Sequence, residues 1–468
     1  MSRRWGLLAL LLALTVAACA KPTREVIYVT ATPLTDAQGH IILPPSLTPA
    51  APSPTPIQPT PNPPRPLPDE SLAYTPDLKI IPDSELIYGP TASDFSVEGT
   101  IKYRQGFLKA YSEDVGGGVT LSGVEIVEYV ALSYSVNPRL LLALLEYRGG
   151  WLNDPMPEGE RMDYPMGIVK AGREGLLRQM LDAADALNAG YYGWKYRGEL
   201  TLELSDGQRL YYAPTLNPGT VGVQHMLSLT ADPTQWQRDV HPEGFFQTYL
   251  ALFGDPFARA YEPITPANLE QPPLTLPFPQ GEEWVFTGGP HGGYNSGSAW
   301  AAVDFAPPKP PDDVLEREGA CYVSEHWVIA AAPGVIARSG FGYVVLDLDK
   351  DGNEHTGWTL VYLHVDDQDR IAEGETVQTG DKLGHPSCQG GFSNGTHLHF
   401  ARRYNGEWIP VDCAICAPEV SAPRLVLGEW TFHGMPGQEY QGYATRPGDD
   451  GYRQADQMRD FEMNKIAW

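Results

Sequence analysis

The chain has 468 residues, more than one hydrophobic core usually supports, so about two to four folded units are expected. Hydrophobic residues at 42% and aromatic residues at 10% exclude a wholly disordered chain, while 44 prolines and 48 glycines predict linkers and many turns. A formal charge of −25 with no basic patch repels phosphate backbones and argues against nucleic acid as a partner.

The chain opens with Arg3 and Arg4, an apolar run from Leu7 to Val16, and small residues up to Cys19, the pattern of an export signal over residues 1–18. That run is too short to cross a hydrocarbon core of about 30 Å as a helix. Val16-Ala17-Ala18-Cys19 resembles the lipobox of bacterial lipoproteins. The resemblance implies that Cys19 is lipidated and anchors an exported protein to the outer face of the cell membrane, facing the wall; the alternative is an ordinary cleavage site in which Cys19 is incidental. Residues 19–80 are rich in proline and threonine, as in PPSLTPAAPSPTPIQPTPNPPRPLP, and cannot bury a core. Such a stretch favours extended polyproline-like conformations of about 3 Å per residue, suited to a tether.

Residues 81–260 turn helical: VEIVEYVALSYSV, NPRLLLALLEYR and EGLLRQMLDAADALNAGYYGW place apolar residues at three-to-four spacing, with Asn137 and Pro138 as a helix start. The stretch SVNPRLLLALLEYRGGWL resembles the catalytic helix of lysozyme-like transglycosylases, which implies Glu146 as a glycosidase acid if burial raises its pKa. Tyr147 replaces the usual serine and the later Gly-Leu-Met-Gln signature is missing. The competing reading of Glu146 is a helix-ending charge in a glycan-binding or spacer domain. A proline-rich linker, 261–280, follows.

From 281 to 412 strand signals take over in EWVFTGG, HWVIAAAPGVIARSG, YVVLDLD, TLVYLHVD and HLHFARRY, separated by turn residues. The fold class is therefore a multidomain α+β arrangement, a mostly helical N-terminal domain followed by a compact antiparallel β domain. Residues 413–468 add strand signals in PRLVLGEWTF and EYQGYATR, read either as a C-terminal β extension of that domain or as a small module of its own. The loop DLDKDGN, with Asp347, Asp349 and Asp351, begins like a calcium loop, but Trp358 stands where a bidentate glutamate is required and the flanks are strands. A solvated hairpin turn is expected there instead of Ca2+.

The sharpest motif is Gly395-Thr396-His397-Leu398-His399-Phe400. Strand alternation projects His397 and His399 together, while Leu398 and Phe400 face the other way. TLVYLHVD ends another strand on His364, GETVQTGDKLGH is expected to supply a tight hairpin between the two strands, and GGPHGGYNSGSAWAAVDF upstream carries His291 and Asp304. Together these resemble the lysostaphin-like (LytM-type) zinc endopeptidases, which cut peptidoglycan peptides, from about Thr287 to Val411. Most of that family brings its first two ligands as HxxxD. Here Trp300 stands four residues before Asp304, and His291 lies farther upstream, as in the staphylolysin-like subgroup.

The resemblance implies one Zn2+ per chain held by His291, Asp304 and His399, with His364 and His397 as the catalytic histidines that supply a general base and a donor to developing charge. Apart from Cys19, four cysteines remain, and three pairings of them are open in an oxidising compartment. Cys413 and Cys416 form a lone CxxC, with no second one to complete a thiolate zinc site. The subgroup resemblance extends to Cys388, which implies pairing with Cys321 and leaves Cys413 with Cys416. The expected activity is a membrane-anchored zinc endopeptidase acting on peptidoglycan. The alternative is a catalytically inactive wall-binding or regulatory lipoprotein.

Overall fold

The computed structural model describes residues 72–468 except 117, 414, 415, 417–419, 421, 450 and 459–461. The export signal, Cys19 and the tether up to residue 71 lie outside the described residues.

After short helical turns, among them Val97–Ile101, the helical part forms a small hairpin, β1 (Ser112–Gly116) and β2 (Val119–Ser122), that leads into α1 (Gly123–Tyr134). A capping box starts α1: the Ser122 hydroxyl accepts the Glu125 N–H while the Glu125 carboxylate accepts the Ser122 N–H at 2.7 Å. Next, α2 (Pro138–Gly149) starts as the sequence predicts, with the Asn137 side chain accepting the Arg139 N–H at 2.9 Å and Pro138 in the first turn. The long α3 (Leu176–Tyr192) comes after it, then a second hairpin of β3 (Thr201–Glu203) and β4 (Arg209–Tyr211), and then α4 (Pro218–Ser228) and α5 (Phe245–Phe253). These two hairpins lie inside the region expected to be mostly helical.

The β part centres on an antiparallel sheet. Its strands are β5 (Trp284–His291), β6 (Ala302–Ala306), β8 (Gly334–Gly340), β9 (Tyr343–Asp347), β10 (Trp358–Leu363), β11 (Thr376–Val377), β13 (Leu398–Tyr404) and β14 (Glu407–Trp408). The short β7 (Val328–Ile329) and β12 (Lys382–Gly384) pair apart from it. In the extension, β15 (Val426–Leu427), β16 (Trp430–Met435), β17 (Gln438–Thr445) and β18 (Arg453–Gln454) form their own sheet, and β19 (Lys465–Ile466) joins the main one. The main sheet runs β11-β8-β9-β10-β13-β6-β5-β19, with β14 against β13.

Alternation along these strands sorts two cores. Val303, Phe305, Leu360, Tyr362, Leu398 and Phe400 bury one face. The opposite face, through Val345, Val361, Leu363 and Ala401, joins the core of the helical domain. The seam between the parts is therefore a packed interior. Trp408 is 1% exposed there and donates its indole N–H to the Tyr134 carbonyl at 3.2 Å. Residues 261–280, expected to be a linker, do not hang free, because Leu274, Leu276 and Phe278 insert into the sheet's first core. GETVQTGDKLGH does not join β10 to β13 as a hairpin either: β11 pairs with β8 and β12 with β7.

In the β9–β10 connection, Asp347, Asp349 and Asp351 lie close together. The Asp347 carboxylate accepts the N–H groups of Asp349 at 3.0 Å and Gly352 at 2.8 Å, the bonding of a turn.

Candidate metal centre

Three adjacent strands converge on one point of the seam-facing side. Asp304 on β6 is the direct cross-strand partner of His399 on β13 and of Gly288 on β5. Gly288 is required by space, since a Cβ there would lie 2.4 Å from Asp304 Oδ2. Two register shifts in β5 carry His291 forward to stand opposite Ala302. This is how a histidine 13 positions before Asp304 reaches the same point.

His291 Nε2 and His399 Nδ1 are 3.0 Å apart, and Asp304 Oδ1 is 3.3 Å from each. The other nitrogens are already committed: His291 Nδ1 lies 2.8 Å from the Gly289 carbonyl and His399 Nε2 2.9 Å from the Gly293 carbonyl. Carbonyls accept only, so those nitrogens carry the protons and the inward-facing ones present lone pairs. Two lone pairs and a carboxylate oxygen then crowd together with no donor between them, and Asp304 Oδ1 is buried without a hydrogen bond. Such a cluster repels itself unless a cation sits within it, and imidazole with carboxylate suits zinc. The three residues fit the metal that the sequence implies.

The electrostatics agree. Burial alone would raise the Asp304 carboxyl, but His291 and His397 hold it well below the usual carboxylate range. Burial would lower His291, but Asp304 beside it more than reverses this, so without a cation in the cluster a proton is drawn to His291 in its place. His399 is lowered, chiefly by burial. The pocket draws in positive charge and offers an ionised oxygen to it.

His364 and His397 flank this group. Their ring centroids are 4.5 Å apart, and His397 Nε2 is 3.7 Å from Asp304 Oδ1. His364 comes directly after β10 with φ of 70°, a left-handed turn that swings its ring back over the sheet. Its Nδ1 lies 3.1 Å from the Gln389 carbonyl, and His397 Nδ1 lies 2.7 Å from the Gly395 carbonyl. Each keeps Nε2 available for proton transfer. Burial, then His397 and His399, push His364 down to about 3, so its imidazole is uncharged at neutral pH.

Cys321 and Cys388 form a disulfide with S–S 2.07 Å, and Cys413 pairs with Cys416. The first ties down the segment that carries Gln389. Glu146, at the end of α2, sits away from this centre: its carboxylate accepts the Leu152 N–H and the Asn153 amide, both at 2.8 Å. Two residues at the centre escape sequence reasoning. Tyr440 stacks on His291 with centroids 4.3 Å apart, and Glu439 accepts the Gly292 N–H at 3.2 Å. Both come from β17, and their only trace in the sequence is an aromatic-rich strand signal in the tail.

Residues 321–411 match the profile described as peptidase family M23, and residues 79–268 match the LasA N-terminal domain. The chain is 26% identical over 357 residues to protease LasA of Pseudomonas aeruginosa, covering 72% of this chain and 76% of that protein, in each of two strains. Among solved structures, the M23 metalloprotease pseudoalterin, described as from the deep sea, is 23% identical. That match covers 40% of this chain and 96% of pseudoalterin, with a TM-score of 0.29. The catalytic domain of lysostaphin from Staphylococcus simulans is 22% identical, covering 28% of this chain and 88% of that domain, with a TM-score of 0.20.

Proposed function

For a chain that carries a peptidase family M23 domain behind a LasA-type N-terminal domain, we propose a zinc endopeptidase that hydrolyses peptide bonds of peptidoglycan at the outer face of the cell membrane. The observation that carries this reading is the convergence of three acceptor atoms, on His291, Asp304 and His399, within 3.0 to 3.3 Å of one another and with no donor to satisfy them. These three residues would hold a zinc ion, which would supply Lewis acidity and bring the pKa of a water there to about 7.

The chain's own residues do the rest. The Gly289 and Gly293 carbonyls fix which imidazole nitrogens face inward, the outer support that orients metal ligands. His364 and His397 stand on one side with Nε2 available. One takes the proton of the attacking water at its free Nε2, and the other, when it carries a second proton, donates that proton from Nε2 to the developing oxyanion or the departing amine. Sheet packing on one face and the helical domain on the other hold these groups rigidly, which keeps the rearrangement needed during reaction small.

Anchoring rests on the lipobox-like Val16 to Cys19, outside the described residues. Loss of membrane association in Cys19→Ala supports it, and unchanged association removes it. The activity is tested by incubating the zinc-loaded protein with peptidoglycan and identifying products by mass spectrometry. New amino and carboxyl termini within the peptides are expected. No cleavage of any peptidoglycan by a protein that holds zinc would favour the wall-binding alternative.

A further inference from the structure

We infer that the hairpin of β16 and β17 is a clasp on the metal centre, with Tyr440 and Glu439 acting as positioning residues for His291. The inference rests on the zinc reading above but concerns residues beyond the M23 match, which ends at 411.

His291 is the ligand least secured by local structure. Asp304 and His399 are neighbours across one ladder, whereas His291 ends β5 after two register shifts. The glycine pair Gly292 and Gly293 comes immediately after it, and no regular element resumes before β6. Such a segment has many conformations open to it unless something outside the strand limits them.

The limit comes from β17. Between Gly434 and Met435 the ladder with β16 shifts register: Gly434 faces Gly442 while Met435 faces Gln438, so Glu439, Tyr440 and Gln441 bulge out of the pairing. Bulges re-aim side chains, and this one aims Tyr440 at the imidazole. The rings are stacked, with centroids 4.3 Å apart and planes 17° apart. Tyr440 holds φ of 65°, a conformation that a bulky residue seldom adopts without compensation from its contacts. The adjacent Glu439 accepts the N–H of Gly292, the residue next to His291, at 3.2 Å.

The two strands meet closely enough to exclude side chains. A Cβ on Gly289 would lie 2.6 Å from the Gly442 nitrogen, and one on Gly442 would lie 2.5 Å from both the His433 carbonyl and the Pro290 ring. His291 is left 3% exposed while Tyr440, above it, is 48% exposed. Tyr440 is thus a lid on the ligand, one side against the imidazole and one side open. It fixes the plane of the ring whose Nε2 must face the metal, and Glu439 fixes the backbone that carries it.

The test measures zinc affinity of the full chain by competition with a chelating dye, together with the visible spectrum of the Co(II)-substituted protein. Both are independent of turnover. Tyr440→Ala is expected to weaken zinc binding about 10- to 100-fold and to alter the Co(II) bands, and Tyr440→Phe, which keeps the stacked ring, to return to within about threefold of wild type. Glu439→Ala should weaken binding, while Glu439→Gln, which retains a carbonyl acceptor, should restore it. Wild-type affinity and an unchanged spectrum in both alanine variants would overturn the inference, as would a Tyr440→Phe variant as weak as Tyr440→Ala. If the wild-type chain itself binds no zinc, the underlying metal reading fails first, and this inference goes with it.

Discussion

Asp185 and Gly297 are 112 residues apart in the chain and 2.9 Å apart in the fold, where the carboxylate of the first accepts the N–H of the second. The bond joins α3 of the helical domain to the segment between His291 and Asp304. In the same segment the Asn295 amide donates to the Tyr134 hydroxyl at 3.2 Å, and the Ser298 carbonyl accepts from Arg197 at 3.1 Å. The helical domain therefore touches the structure that supports the centre.

Burial raises the Asp185 carboxyl to about 6, only partly offset by the Gly297 N–H. A folded pKa above the unfolded value of about 3.9 means the fold binds the proton more tightly. The stabilisation this gives is complete below that unfolded value and is lost as pH rises through about 6. Asp185→Asn, always neutral, should gain on wild type by on the order of 1–3 kcal/mol between pH 4 and 7, then run parallel to it. Melting temperatures across that range check this, and a constant difference would contradict it.

His399 and His364 should fail differently. His399→Ala removes a proposed ligand, so zinc content and cleavage should fall together. His364→Ala should retain zinc while kcat drops by about 10² to 10⁴. Metal analysis beside single-substrate kinetics separates the two, and equal zinc loss in both would undo the assignment of roles.

The Cys321–Cys388 disulfide closes a loop of 67 residues, for which chain entropy predicts up to about 4 kcal/mol of stabilisation. It also secures Gln389, whose carbonyl receives His364 Nδ1. Replacing both cysteines with serine should lower the melting temperature and also kcat, with zinc retained. A change confined to stability would show that the His364 carbonyl partner holds without the bridge.

Glu146 spends its carboxylate on the turn after α2. We expect Glu146→Gln to cost roughly 1 kcal/mol of stability and to leave the product spectrum from peptidoglycan unchanged. Loss of glycan-strand cleavage in that variant would instead revive the glycosidase reading.

Much of the centre is legible in the sequence because its geometry is local. In THLHF, a period of two puts His397 and His399 on one face and Leu398 and Phe400 on the other, and the fold has them so. The capped start of α2 at Asn137 and Pro138 is legible for the same reason. The contribution of β17 is not, because a bulge leaves no period in the sequence and the partner of Tyr440 lies 149 positions away (440 minus 291). Nor is the seam: apolar spacing reveals that a face is buried but not what buries it, and Val361 or Ala401 would look the same beneath a loop as beneath a helical domain.

The last residues bear on how the protein is handled. Lys465 and Ile466 pair with Val285 and Trp284, and the Trp468 indole donates to the Phe278 carbonyl at 2.9 Å. This two-residue strand covers the outer edge of β5. An uncovered strand edge is a template for joining another molecule, and this one lies at the end of β5 opposite His291. A version cut at the end of the M23 match, the obvious choice for a minimal domain, should therefore self-associate edge to edge with rising concentration. Affinity tags belong at the other end of the folded part.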